Sequence, residues 1–546
     1  MSKYTVGIDF GTLSARAIVA DAATGRALGS AAMDYPHGVI TDALPDGTPL
    51  GPDWALAHPG DYWACLGTVI PEALRRAGVA PADVAGLGID VTACTAMPVD
   101  GENVPLCLKR EYASVPHAWM MLWKHHAAQA YAERMTDIAR QRGEDFLARY
   151  GGRVSSEWLL PRLWQIAAEA PEVYDAADRF IDAADWLVQR LTGTDTRAEG
   201  IAGYKYFWNR REGYPPEAFL AALDPRLEHV ARDKLRGTLR PIGSRAGGLT
   251  PEGAALTGLQ PGTAVAVGNI DAHVSMPSVG RAMPGDYLMI LGTSNCHMFV
   301  DDAERDIPGI CGMVEGGILP ELYGYEAGQS GAGDSFAWFV ERCCPPQVHE
   351  AARAEGVDVH RWLTGQAQKL RPGQSGLLAL DWWNGNRSIL VDAGLSGLLL
   401  GLNLSTRPEE IYRALIESTA FGARMIVENF ERHGAAVRRM FACGGVARKN
   451  PFLMQVYADV LNRELRVAAT DQSGALGSAI FAAAAAGLYD SVGAAAERMG
   501  GVDERVYVPE PESVRIYDAL YREYAALHDL FGRGGMETMK RLRQLR

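Results

Sequence analysis

The sequence predicts an α/β fold made of two related lobes that face each other across a cleft. Three observations carry this reading. The chain has 546 residues, more than one hydrophobic core accommodates. A Gly-Thr turn between apolar strands occurs at Gly11-Thr12 and again at Gly292-Thr293. Strand-like and helix-like patterns alternate after each copy, as in sheets covered by helices.

In the first half, residues 1–280, segments 4–9 and 16–21 form the arms of a hairpin, with a helix near 61–77. Residues 84–92 are apolar enough for a central strand covered on both faces. Helical content follows over 119–142, 156–170 (interrupted by Pro161) and 176–191. Segment 240–262 reads as a loop with a short helix, and 263–268 as a strand delivering Asp271 at its C-terminal end. In the second half, residues 281–546, the repeated hairpin is followed by strands near 309–315 and 319–326. A Pro- and charge-rich excursion occupies 345–375, and the longest helix covers 408–433. A strand over 439–444 runs into Gly444-Gly445, residues 474–486 form a buried Ala-rich helix, and the basic tail 536–546 is a frayed, solvated helix.

Composition narrows the partners. A net charge of -13 argues against nucleic acid or an anionic membrane. The 8 cysteines are scattered without a C-x-x-C pair, which fits a reducing compartment. The first strand begins a few residues after Met1 with no signal peptide before it, and the run 475–487 is too short to span a bilayer. A cytoplasmic protein acting on small molecules is expected.

The turns carry the chemistry. Backbone N–H groups at Gly11 and Gly292, with the hydroxyls of Thr12 and Thr293, suit a polyphosphate held from two sides. Asp9 adjoins the first turn, where it holds Mg²⁺ or caps the turn; the aligned position of the second copy is Ile290. The ungapped alignment also matches Asp21 with Asp302. Gly444, Gly445 and Asn450 lie at a strand-to-helix junction suited to an anion or nucleotide. Asp271 is either a general base for a substrate hydroxyl or a helix N-cap, and His273 is a packing residue before it is a metal ligand.

These residues resemble the carbohydrate kinases of the FGGY family, and among them the L-ribulokinases. Similar to the family are Asp9-Phe10-Gly11-Thr12, Gly394-Leu395-Ser396-Gly397-Leu398 and Gly444-Gly445 with Asn450. Similar to ribulokinases are Gly88 to Thr95, Ala202-Gly203-Tyr204-Lys205, Glu326 to Ser330 and Asp381-Trp382-Trp383-Asn384-Gly385. The resemblance covers nearly the whole chain. It implies two RNase H-like domains of the actin/hexokinase/Hsp70 superfamily with ATP in the cleft and the sugar bound mostly by the first. It also implies Asp271 as catalytic base, with Ala93, Lys205, Asp271 and Glu326 around a ketopentose. Gly11, Thr12, Gly292, Thr293, Gly444, Gly445 and Asn450 then hold ATP, and Asp9 the Mg²⁺. The implied reaction is phosphorylation of the terminal hydroxyl of L-ribulose, as in L-arabinose catabolism, and a homodimer is compatible with it. One departure is His125-His126, where relatives often carry an acidic residue after the Trp-Lys pair. The alternatives are a kinase of D-ribulose, xylulose or ribitol and, more remotely, an actin- or Hsp70-like ATPase without small-molecule chemistry.

Overall fold

The structure is a computed structural model that describes residues 3–545. Its first large sheet runs, edge to edge, through Arg245–Gly248, Ala264–Ala266, Val84–Val91, Tyr4–Phe10, Ser14–Asp21 and Ala27–Asp34. Its second runs through Gly312–Glu315, Tyr323–Gln329, Asn295–Asp301, Asp286–Leu291, Arg439–Cys443, Leu465–Ala468 and Val502–Tyr507. The two share one plan. Tyr4–Phe10 pairs antiparallel with one hairpin arm and parallel with Val84–Val91; Asp286–Leu291 pairs antiparallel with its arm and parallel with Arg439–Cys443. Each sheet then adds one more parallel strand and closes on an antiparallel edge. The repeat visible in the hairpins therefore extends across whole sheets.

The hairpins differ in turn length. Phe10 pairs with Ala15, and the Gly11 N–H donates to the Ser14 carbonyl at 3.0 Å. Leu291 pairs with Asn295, and the Gly292 N–H donates to the Ser294 carbonyl at 3.2 Å. The second turn is one residue shorter, so the counterpart of Asp21 is Asp301, and the ungapped match to Asp302 slips by one position.

The Ala-rich helix Ser473–Ala485 belongs to the second half of the chain but lies on the first sheet. Three strand glycines make room for it. A Cβ at Gly7 would stand 1.9 Å from the Ala475 carbonyl oxygen, one at Gly88 2.0 Å from that of Ser478, and one at Gly86 2.6 Å from that of Ala482. Helix Val492–Met499 joins the same core. A second core lies between the second sheet and the helices Pro408–Arg432, Pro451–Leu461 and Pro511–Gly532.

Several local expectations change. Pro161 sits in the first turn of helix Leu159–Glu169, where a missing N–H is harmless, so it interrupts nothing. Over 119–142 only Gln129–Arg142 is helical. Strand Arg179–Asp182 precedes helix Ala183–Thr192, and segment 240–262 contributes the edge strand Arg245–Gly248. The excursion at 345–375 folds into helices Pro346–Ala354 and Val359–Ala367. The tail forms helix Thr538–Gln544 and is anchored: Lys540 Nζ lies 2.8 Å from Asp392 Oδ2. No helix among the described residues is long and apolar enough to cross a membrane.

Candidate active site

Strand pairing places the acidic residues side by side. Asp9 is the register partner of Asp90, and Asp90 is in turn the partner of Asn269 on the short strand Asn269–Ile270. Asp271 follows at once, and so stands at the end of the same line of strand ends. Asp9, Asp271, Ala93 and Glu326 line one cavity of ≈ 280 Å³ between the lobes, together with Thr12, Thr293 and Gly444.

The turn carrying Ala93 is fixed from behind by Arg162, whose guanidinium donates to the carbonyls of Cys94 (2.7 Å), Leu122 (2.7 Å) and His125 (3.1 Å). Among the tryptophans, Trp123 lines the cavity, and its indole N–H donates to Thr12 Oγ1 at 3.1 Å. The Thr12 hydroxyl proton is left to point elsewhere. His125 and His126 are structural: the first accepts from the Ala55 N–H and the second meets the Ser156 hydroxyl at 3.1 Å.

Electrostatics distinguish the carboxylates. Asp271 accepts from the Ala272 N–H at 2.8 Å and is only half-buried by its own exposure, yet protein atoms surround the cleft floor. Burial, followed by the nearby charge of Asp9, pushes its pKa up to about 7. Burial also raises Asp9, against the opposing effects of the adjacent Asp90 side chain and the charge of Arg16. Asp90 is pushed well above the usual carboxylate range by burial and by the charge of Asp9. The Ser478 hydroxyl, reaching over from the crossing helix, donates to Asp90 Oδ2. That helix begins at Asp9: a Cβ on Gly474 would stand 2.6 Å from Asp9 Oδ2, which leaves the carboxylate at a helix N-terminus. The second lobe has Ile290 and Cys443 in the positions of Asp9 and Asp90.

Glu326 crosses between the lobes. Lys205 Nζ lies 2.8 Å from its Oε2, His273 Nε2 3.3 Å from the same oxygen, and Arg387 Nη2 3.4 Å from Oε1. Burial alone would raise the Glu326 pKa, but Lys205, His273 and Arg387 hold it well below the usual carboxylate range. Lys205 is 1% exposed and stands behind Glu326 instead of lining the cavity. Asn450 caps helix Pro451–Leu461 by accepting from the Leu453 N–H at 3.0 Å. Gly11, Gly292 and Gly445 shape their turns, while Thr12, Thr293 and Gly444 present the cavity surface.

Sequence reasoning passed over Asp90 and Arg387. A signal for Asp90 was present in a second acid at the end of the strand next to Asp9. Arg387 had none, since only the fold returns its segment to the cleft.

Comparisons with known proteins agree with this architecture. Residues 4–276 match the N-terminal domain of the FGGY family of carbohydrate kinases, and residues 287–486 match its C-terminal domain. The ribulokinase of Geobacillus thermodenitrificans is 54% identical over 99% of this chain and 97% of its own. That of Mycolicibacterium smegmatis is 49% identical over 100% of this chain and 96% of its own. Among solved structures, the xylulose kinase of Rhodospirillum rubrum superposes with a TM-score of 0.77 at 24% identity, covering 96% of this chain and 98% of that one. The gluconate kinase of Lactobacillus acidophilus gives 0.81 at 18% identity over 98% of this chain and 99% of that one. With its two lobes, its paired Gly-Thr turns and its acidic cleft floor, the chain belongs to the FGGY family of carbohydrate kinases.

Proposed function

We propose that this kinase transfers the γ-phosphoryl group of ATP to the terminal hydroxyl of L-ribulose, in the cytoplasm, as a step of L-arabinose catabolism. The carrying observation is that Asp271 and Asp9 share one interlobe cavity in a chain similar to ribulokinases over its full length.

Phosphoryl transfer through a loose transition state needs alignment and charge neutralisation more than covalent help. Asp271 orients the acceptor hydroxyl and takes its proton as the new O–P bond forms. The Gly11 and Gly292 N–H groups close their own turns, so the amides and hydroxyls of Thr12 and Thr293 receive phosphate oxygens from opposite sides, and the Gly444-Gly445 turn with Asn450 flanks the nucleotide. Ala93 and Glu326 face the sugar, and Lys205 keeps the Glu326 carboxylate in place. The donor set at Asp9 fits a hard cation: it is all oxygen, and the buried Oδ1 of its register partner Asp90 has no hydrogen-bond partner among the described residues. Mg²⁺ bound at Asp9 supplies neutralising charge beside the phosphates. Asp90, the register partner of Asp9 on the neighbouring strand, backs it from the side. Closure of the lobes excludes water and so limits ATP hydrolysis without sugar.

The test is ADP release by the purified protein with L- and D-ribulose, L- and D-xylulose, ribitol and glycerol. L-Ribulose is expected to give the highest kcat/KM. A clear win for xylulose or glycerol would sink the substrate assignment and keep the kinase class, whereas slow ATPase activity indifferent to every sugar would sink both.

A further inference from the structure

Arg387 lines the cavity alongside Asp271, Ala93 and Glu326, and its side chain is 15% exposed. Its Nη2 donates to Glu157 Oε2 at 3.1 Å and to Glu326 Oε1 at 3.4 Å, so one nitrogen ties the first lobe to the second. The N–H groups on Nε and Nη1 have no hydrogen-bond partner among the described residues, and neither atom is sealed from solvent. A guanidinium carries five donors in a fixed fork. Here the protein engages only Nη2: Nη1 passes close to the Gly328 backbone, where a Cβ would stand 3.2 Å from it, and the side chain lines the cavity.

The backbone beneath it is firmly placed. Asp381, at the root of the segment, accepts from Gln329 Nε2 at 2.7 Å and from the Tyr524 hydroxyl at 2.6 Å. On either side of Arg387, Asn386 and Asp392 exchange backbone hydrogen bonds at 3.0 and 2.8 Å. Lys540 of the C-terminal helix then holds Asp392 from outside.

Building on the proposed sugar-kinase reading, we propose that Arg387 is a specificity-determining residue that donates hydrogen bonds to ketopentose hydroxyls remote from the reacting one. Glu326 has Oε2 occupied by Lys205 and Oε1 by Arg387 Nη2, which leaves the N–H groups on Arg387 Nε and Nη1 as donors still without a protein partner. The second lobe thus helps to bind the sugar as well as the nucleotide.

Arg387→Lys keeps the charge between Glu157 and Glu326 but loses the fork. Its KM for L-ribulose is expected to rise about tenfold or more, as for loss of a charge-assisted hydrogen bond, with KM for ATP within about twofold. Sugar titration calorimetry without ATP should show the same weakening, and the preference for ribulose over ribitol should shrink. Arg387→Ala is expected to weaken sugar binding further; if that variant fails to fold, the Lys variant decides. An L-ribulose KM within about twofold of wild type in a folded Arg387→Lys enzyme overturns the assignment, as does a drop in kcat and melting temperature with unchanged sugar affinity. Failure of the wild-type enzyme to phosphorylate ribulose is a separate outcome that strikes the functional reading, and sugar calorimetry on both proteins still judges Arg387.

Discussion

Asp271 and Asp9 are carboxylates on one cleft floor with opposite needs. A base must lose its proton before it can accept another, and burial with a negative neighbour makes Asp271 hold its proton up to about pH 7. With Asp271 as the proposed base, kcat/KM for the sugar is expected to fall as pH drops through about 7, and a flat profile there would count against that role. Asp271→Asn should lower kcat by about 10²-fold or more while sugar affinity from calorimetry barely moves. Near-normal turnover in that variant would remove Asp271 from the base role. Asp9 instead stands beside the buried Asp90, a carboxyl pair that the second lobe lacks because Ile290 and Cys443 stand in its place. The lobes are copies in topology and specialists in chemistry.

At the level of elements, the crossing helix is held by contact with bare backbone. Gly88→Ala would drive a methyl group into the Ser478 carbonyl, and neither strand nor helix can shift without opening the sheet face. A loss of about 3 kcal/mol is expected in urea denaturation; an unchanged midpoint would mean the helix floats. The hairpins, the central strand and the longest helix were legible in the sequence because each rests on local periodicity and turn chemistry. The resting place of the Ala-rich helix was not, since nothing along 473–485 names the surface it covers. Short segments misled for a related reason. Arg179–Asp182 lies inside the stretch 176–191 that reads as helical, but it is a strand paired with Ala96–Val99, a contact remote in sequence. Of the site, Asp9, Thr12 and Asp271 announced themselves beside turns and strand ends. Lys205 and Glu326 came only through resemblance, because a buried pair 121 residues apart leaves no local trace.

Across the whole molecule, the lobes are joined by a buried ion pair in addition to the chain. Lys205→Met would leave Glu326 facing only Arg387 and His273, and removing one partner of such a pair carries a penalty of about 3 kcal/mol. Because the pair spans the lobes, the variant should also unfold in two resolved steps by calorimetry; a single transition at the wild-type temperature would show the pair to be dispensable. The returning helix has a further consequence, one of timing. During synthesis the N-terminal sheet emerges from the ribosome long before the residues that roof it. That sheet must wait, one greasy face uncovered, for almost the entire length of the message to be read, and a premature stop anywhere upstream of Ser473 yields a lobe that can never be finished.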